Sequence, residues 1–318
     1  ASGVLSDPSG NVRAGRKNIF INGDFSVNQR GTGATTGGTY LTADRWKAGT
    51  TTLTFETVAN DRDLSIANML KVTSHTNGYG IIVQAAEDVR TTSGQNVTLS
   101  FWAKTANFSS FRLELQQNFG SGGSGTVTVV DNASYFSVPN TGWNQYTATI
   151  AMPSISGKTV GTSSYLNMVL GPNSGTSNGI TYYSEVQLEL GSVATDFEHR
   201  SYGEILADCQ RYFYSAADGS SKSLGLGVNY TSTYMMGAIH FPVSMRTTPT
   251  LNAASGTNYY EFIRNNAADF INSLSLGNRS TNKIGEIYNS TEISGTVGHS
   301  GYIRTDNSAV FVHFDAEL

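Results

Sequence analysis

The chain has 318 residues, a net charge of −4 at neutral pH and one cysteine. That charge argues against a general electrostatic grip on nucleic acid or on an anionic membrane, and no block of like charge forms a tail. A single cysteine, Cys209, excludes an internal disulfide and cannot by itself build a zinc site. No apolar stretch approaches the roughly 18 residues of a membrane span, and no signal-peptide pattern opens the chain. The first residue is Ala1 rather than Met, as expected of a processed chain or a piece of a longer one.

Hydrophobic residues make up 38% of the chain and aromatics 11%, beside 34 glycines. That mixture suits many short strands joined by turns, with polar sheet faces. Residues 1–17, "ASGVLSDPSGNVRAGRK", are polar without periodicity and read as a linker or connecting stub. Strand signals begin at Asn18. The turn "NDRD" (60–63) places two carboxylates near an Asn, but it lacks the Gly and terminal Glu of an EF-hand and reads as an ordinary turn.

In "NVTLSFWAK" Val97, Leu99, Phe101 and Ala103 share one face, with Trp102 and Lys104 on the other. "FRLELQQNF" sets Phe111, Leu113 and Leu115 against Arg112, Glu114 and Gln116. "QYTATIAM" sets Tyr146, Ala148, Ile150 and Met152 against Thr147 and Thr149. "YYSEVQLEL" sets Tyr182, Val186, Leu188 and Leu190 against Tyr183, Glu185, Gln187 and Glu189. Such period-two runs, separated by Gly, Asn and Ser clusters, predict an antiparallel sandwich with one dry and one wet face.

"SYGEILADCQRYFY" (201–214) breaks the pattern. Ile205, Leu206, Cys209, Tyr212 and Phe213 recur at helical spacing, and Ser201 with Glu204 forms a capping box. A short helix at the junction of two β-domains is expected, with Cys209 as a small core residue. Beyond it "YMMGAIHFPVSM", "PTLNAAS" and "AVFVHFDAEL" read as strands of a second, smaller β-domain. Pro242 and Pro249 suit strand ends or edges. No repeat of 20–50 residues indicates a solenoid or propeller.

Catalytic patterns are sparse. The five histidines (His75, His199, His240, His299 and His313) have no metal-binding spacing. "GTSNG" (175–179) matches GxSxG only formally, without the strand and helix of a nucleophile elbow. Glu114 and Glu185 could form a glycosidase-type acid pair, yet read as solvated acids on a wet face. Sequons such as Asn96-Val97-Thr98 are expected by chance in so polar a chain. A binding surface is better supported: Trp102, Arg112, Glu114, Gln116, Tyr183, Glu185 and Gln187 combine planar hydrogen-bonding groups with aromatic rings, as a sugar needs. Tyr40, Trp46, Tyr79 and Trp143 are rival loop aromatics that read as packing residues.

"NIFINGDFSVNQRGT" (18–32), "YLTADRW" (40–46), "LSFWAK" (99–104) and "EVQLELGSVATDFEHRSYGEILADCQRYF" (185–213) resemble phage tail-fibre and related virion proteins. Those proteins carry a jelly-roll domain similar to the carbohydrate-binding modules of glycoside hydrolases. "FPVSMRTTPTL" (241–251) and the terminal "FDAEL" (314–318) resemble the β-domain that follows in such fibres. The resemblance implies a non-enzymatic, homotrimeric virion protein that contacts bacterial surface polysaccharide. It also implies a structural calcium near the first strand, with Asp24 at the matching position. No other cofactor is expected.

The expected organisation is therefore an all-β chain: a stub (1–17), a jelly roll (18–200), a helical junction (201–213) and a second β-sandwich (214–318). Ile205, Leu206, Tyr212 and Phe213 are the expected meeting point of chains, because a modest hydrophobic share leaves small cores that association can enlarge. Two alternatives stand beside the glycan reading: a structural decoration that binds other virion proteins, and a polysaccharide depolymerase.

Overall fold

The computed structural model describes residues 5–6, 12–13, 16–50, 52–63, 65–74, 80–173, 179–265 and 267–318, apart from the side chains of 5–6, 12–13 and 132–134. Most of the expected stub, His75, Tyr79 and residues 175–178 of the GxSxG match lie outside them. The chain divides into two compact units, residues 1–205 and 206–318.

The first unit begins with β1 (Leu5–Ser6), β2 (Val12–Arg13), β3 (Thr35–Gly37), β4 (Lys47–Ala48) and β5 (Leu53–Ala59). It continues with β6 (Asn68–Ser74), β7 (Ile82–Glu87), β8 (Asn96–Thr105), β9 (Ser110–Asn118) and β10 (Val127–Ser137). It closes with β11 (Asn144–Ala151), β12 (Tyr165–Pro172) and β13 (Gly179–Leu190). A five-stranded sheet, β10-β9-β12-β7-β4, packs on a six-stranded sheet, β11-β8-β13-β6-β5-β3, in a jelly-roll sandwich. Phe101 of one sheet meets Phe111 of the other at a centroid distance of 6.0 Å. The alternation predicted for β8, β9 and β11 holds: Leu99, Leu113 and Ile150 are buried, with Trp102, Glu114 and Thr149 on the outer faces.

β13 departs from its predicted pattern. Ser184 pairs with Trp102, but the next pair is Gln187 with Ser100, so β13 carries one extra residue. This β-bulge places Glu185 at φ 53° and reverses which side chains face the core. Tyr183, expected on the wet face, is fully buried, and its hydroxyl donates to the Gly80 carbonyl at 2.9 Å. Tyr182 takes the outward position instead.

The bulge is bracketed by the N-terminal segment. Val186 N–H donates to the Gly23 carbonyl (2.9 Å) and Ile19 N–H to the Leu188 carbonyl (2.7 Å). Asn18 donates to the Val186 carbonyl and accepts from Leu188 N–H, both at 3.0 Å. A Cβ on Gly23 would lie 2.0 Å from the Val186 oxygen, so only glycine fits. Beside it, Asn22 bonds both backbone groups of Val27 and the Asp44 carbonyl, and Trp46 Nε1 donates to the Asn22 carbonyl at 2.7 Å. Asp44 accepts from Gln29 and pairs with Arg30 at 3.3 Å. Burial outweighs these partners and pushes the Asp44 carboxyl up to about 6.

The helix α1 (Tyr202–Gln210) starts at the predicted cap. Glu204 accepts from Ser201 N–H at 3.0 Å, and Glu204 N–H donates to Ser201 Oγ at 3.4 Å. Ile205, Cys209, Tyr212 and Phe213 are buried and Leu206 is half-buried. No helix among the described residues is long and apolar enough to cross a membrane.

The second unit starts with β14 (Phe213–Asp218), β15 (Ser223–Thr231), β16 (Tyr234–His240), β17 (Thr250–Ala253) and β18 (Tyr260–Arg264). It ends with β19 (Ala267–Ile271), β20 (Ser275–Leu276), β21 (Ile284–Asn289), β22 (Ser300–Thr305) and β23 (Phe311–Asp315). A three-stranded sheet, β14-β23-β17, and a seven-stranded sheet, β19-β18-β22-β15-β16-β21-β20, enclose a core of Met235, Phe262, Ile287, Ile303 and Phe314. This is the smaller second β-sandwich.

Asp44 has a testable signature. Its folded pKa lies above the unfolded value near 3.8, so the native state holds the extra proton between these values. Its contribution to stability is therefore full below pH 4 and is lost as pH rises through about 6. Asp44→Asn should remove up to about 3 kcal/mol of this decline between pH 4 and pH 7 in urea unfolding of the full chain. An identical slope in both proteins would refute the assignment.

Candidate functional site

The candidate residues fall on two opposite outer faces. On the six-stranded sheet, the 60–63 turn folds over β8 and β13. Asn60 Oδ1 accepts from Arg62 N–H at 2.9 Å, and Asn60 Nδ2 donates to Ser184 Oγ at 3.0 Å beside the bulge. The turn delivers Arg62 onto Trp102, with the guanidinium carbon 4.5 Å from the ring centroid, and the same group pairs with Glu185. Next to it, Lys104 Nζ lies 4.6 Å from the Tyr182 ring and 5.0 Å from the Trp143 ring. Asp61 closes the set by pairing with Lys104 and accepting from Trp143 Nε1 at 2.9 Å. The Lys104 hydrogen bond, helped by Trp143, holds the Asp61 carboxyl below its usual range. The Trp102 face that a sugar would stack on is taken by a cation of the same chain.

Gln187 keeps its outward position but is roofed. Its amide oxygen accepts from Glu198 N–H at 2.9 Å, its Nε2 donates to Glu189 at 3.1 Å, and Thr195 bonds Glu189 through both N–H and hydroxyl. With 0% exposure, Gln187 is removed from any solvent-facing platform, as Tyr183 is.

The five-stranded sheet presents a different surface. Arg112, Glu114 and Gln116 alternate outward along β9, and Gln116 donates to Glu114. Register places Asn167 opposite Gln116, Val169 opposite Glu114, Gly171 opposite Arg112 and Tyr165 opposite Asn118. On the far side of β12, Tyr165 pairs with Glu87 and Val169 with Val83. Arg112, Glu114, Gln116, Tyr165, Asn167 and Val169 are all half-buried despite facing away from the core, whereas Gln145, Thr147 and Thr149 on the other sheet are exposed. On this face the side chains of adjacent inner strands partly cover one another, whereas β11 is an edge strand. Gly171, opposite Arg112, is buried against the next segment: a Cβ there would lie 2.8 Å from the Ile81 Cα.

This face joins three predicted residues, Arg112, Glu114 and Gln116, to two that were not predicted, Tyr165 and Asn167. Trp102 and Glu185 meet through Arg62 on the opposite face, so Glu114 and Glu185 cannot act as an acid pair. Of the rival aromatics, Trp46 is fully buried and Tyr40 lies under Arg30, 5.4 Å from its guanidinium carbon. Asp24 accepts from Ser26 N–H and hydroxyl. Among the described residues no three His, Cys, Asp or Glu side chains converge into a group that could hold a metal ion.

No protein-family model and no curated protein matches the chain. Among solved structures, the CBM22-2 xylan-binding domain of Paenibacillus barcinonensis Xyn10C is similar at 19% identity over 46% of this chain and 92% of that one, with a TM-score of 0.35. The CBM22-1 xylan-binding domain of the same protein is similar at 14% identity over 57% of this chain and 100% of that one, with a TM-score of 0.35. The enzymatically active domain of tailspike protein 4 of bacteriophage CBA120 is similar at 20% identity over 57% and 24% of the two chains, with a TM-score of 0.34.

If the Arg62 stack closes the tryptophan face, Arg62→Ala and Trp102→Ala should each destabilise the first unit and show coupling. A double-mutant cycle in urea should return about 1 kcal/mol. Strictly additive effects would mean that the two side chains do not support each other.

Proposed function

We propose that the first unit binds carbohydrate, without catalysing its cleavage, through the outer face formed by Arg112, Glu114, Gln116, Tyr165 and Asn167. The observation that carries this reading is the register of Gln116 with Asn167, two residues along β9 from Glu114, on a half-buried outer face. Adjacent sugar hydroxyls both donate and accept, and amides and a carboxylate side by side satisfy both roles. Arg112 adds a planar donor fork, and the Tyr165 ring offers apolar cover for C–H surface. Arg112 and Glu114 carry opposite charges, which suits a neutral or weakly charged glycan.

The motifs over 18–214 support placing this unit in a phage virion fibre, on the particle surface, with host polysaccharide and other virion proteins as partners and three copies per fibre. Several copies would raise a weak site to useful avidity through effective concentration.

The test is binding of the labelled full chain to bacterial cells before and after their surface polysaccharide is stripped. Binding should vanish on stripping. Glu114→Ala or Asn167→Ala should weaken it about tenfold or more, the loss expected for a hydrogen bond to a charged or well-placed group. Trp102→Ala should stay within about twofold once its folded fraction is matched, about 0.4 kcal/mol. Retention of binding by both Glu114→Ala and Asn167→Ala would refute the site, and equal binding to stripped cells would refute the glycan.

A further inference from the structure

The outer face of the seven-stranded sheet carries apolar side chains where a solvated sheet would carry polar ones. Leu226 is 74% exposed and Tyr302 42% exposed, and Val228, Met236, Ile263 and Ile284 flank them half-buried. Pairing across β18-β22-β15-β16-β21 makes the patch continuous, with Ile263 opposite Tyr302, Tyr302 opposite Leu226, and Val228 opposite Met236. Four strand spacings and four residue rises make it about 19 by 13 Å. The largest apolar area on an ordinary monomer is a few hundred Å² and is often functional.

We infer that this face is where a second copy of the same chain docks. Two features choose that occupant. The first is shape. Leu226 stands between two hollows, one of about 450 Å³ lined by Tyr214, Leu224 and His240, the other of about 440 Å³ lined by Met236, Ile284 and Ser300. Leu226 and Ala238 border both hollows. A knob and a hollow side by side on one surface are what a self-contact requires, because each copy supplies both halves. The second is charge. The ionic groups bordering the patch are paired within the chain, Glu261 with Arg304 and Arg279 with Glu286 at 3.7 Å. Residues near a symmetry axis meet their own copies, so an unpaired charge there would repel itself. A face with internal pairs avoids this, and it offers nothing specific to a strongly charged partner.

The patch is smaller than the roughly 800 Å² per partner of a stable standard-size complex, so association through it alone is concentration-dependent. This inference concerns the multicopy part of the proposed function and is independent of glycan binding.

Sedimentation of the full chain between about 1 and 100 µM tests it, across the concentrations where a weak interface forms. The wild-type mass should rise with concentration above that of one chain. Leu226→Glu and Ala238→Glu place like charges against each other and should each hold the chain at single mass. Their near-UV circular dichroism and thermal unfolding should match wild type, since both side chains are exposed. Val193→Glu, at an equally exposed residue of the first unit (73%), should associate like wild type. A wild-type chain of single mass throughout, as an unlike partner would give, overturns the inference. So does association unchanged in both sheet variants, or lost equally in Val193→Glu.

Discussion

One inserted residue in β13 decides how the first unit is built. The bulge at Ser184–Gln187 puts Glu185 into the left-handed region, which costs on the order of 1–3 kcal/mol for a residue with a side chain. The cost is offset locally, because the irregular backbone is met by Gly23, Ile19 and Asn18, each making a hydrogen bond worth about 1 kcal/mol. The bulge also sends the Glu185 carboxylate outward to Arg62, and Arg62 lies across Trp102. A single backbone irregularity thus docks the N-terminal segment on one side of β13 and closes the tryptophan face on the other.

Asn18, Asn22, Gly23, Asp44 and Trp46 all lie in the segments before β5, and all are buried. Asn22 ties three segments together through its side chain and its carbonyl. Gln84 exchanges two hydrogen bonds with the Ile21 backbone at 2.7 and 3.0 Å. Each group satisfies a backbone that does not run in a regular ladder, and a buried polar network of this kind fixes geometry when its members are paired. These residues specify how the chain closes on itself and do not touch the outer face of the five-stranded sheet. The residues that close the fold are thus separate from those available to a ligand.

The period-two pattern made β8, β9 and β11 legible, because each crosses the sandwich without interruption and its apolar half has one core to face. It failed on β13, where the same count carried Tyr183 to the wrong side; nothing in "YYSEVQLEL" marks the extra residue. Gln187 was assigned the right side, but its roof comes from residues 195–198, a segment without periodicity. The Arg62 stack joins positions 40 residues apart and could not be read locally. Asn167 and Tyr165 were accessible to the same alternation, since Leu166, Met168 and Leu170 mark the dry face of β12. The capping box was legible because both partners lie within one turn.

The outer surfaces differ in what remains available to a ligand. The cation–π and ionic contacts around Trp102 and Lys104 satisfy those groups within the chain, so a ligand there would have to replace them. Along β9 and β12 the carboxylate of Glu114 and the amides of Gln116 and Asn167 stand on a half-buried polar face, where water can be exchanged for hydroxyls at small cost. Polar faces bind weakly, since little apolar area is removed from water. If copies dock on the apolar face of the seven-stranded sheet, as inferred above, that contact offsets the weakness from another part of the chain. A contact that brings copies together raises the effective concentration of every such face without altering any of them. Weak recognition in one unit and self-association through the other are then complementary, and neither surface has to be strong.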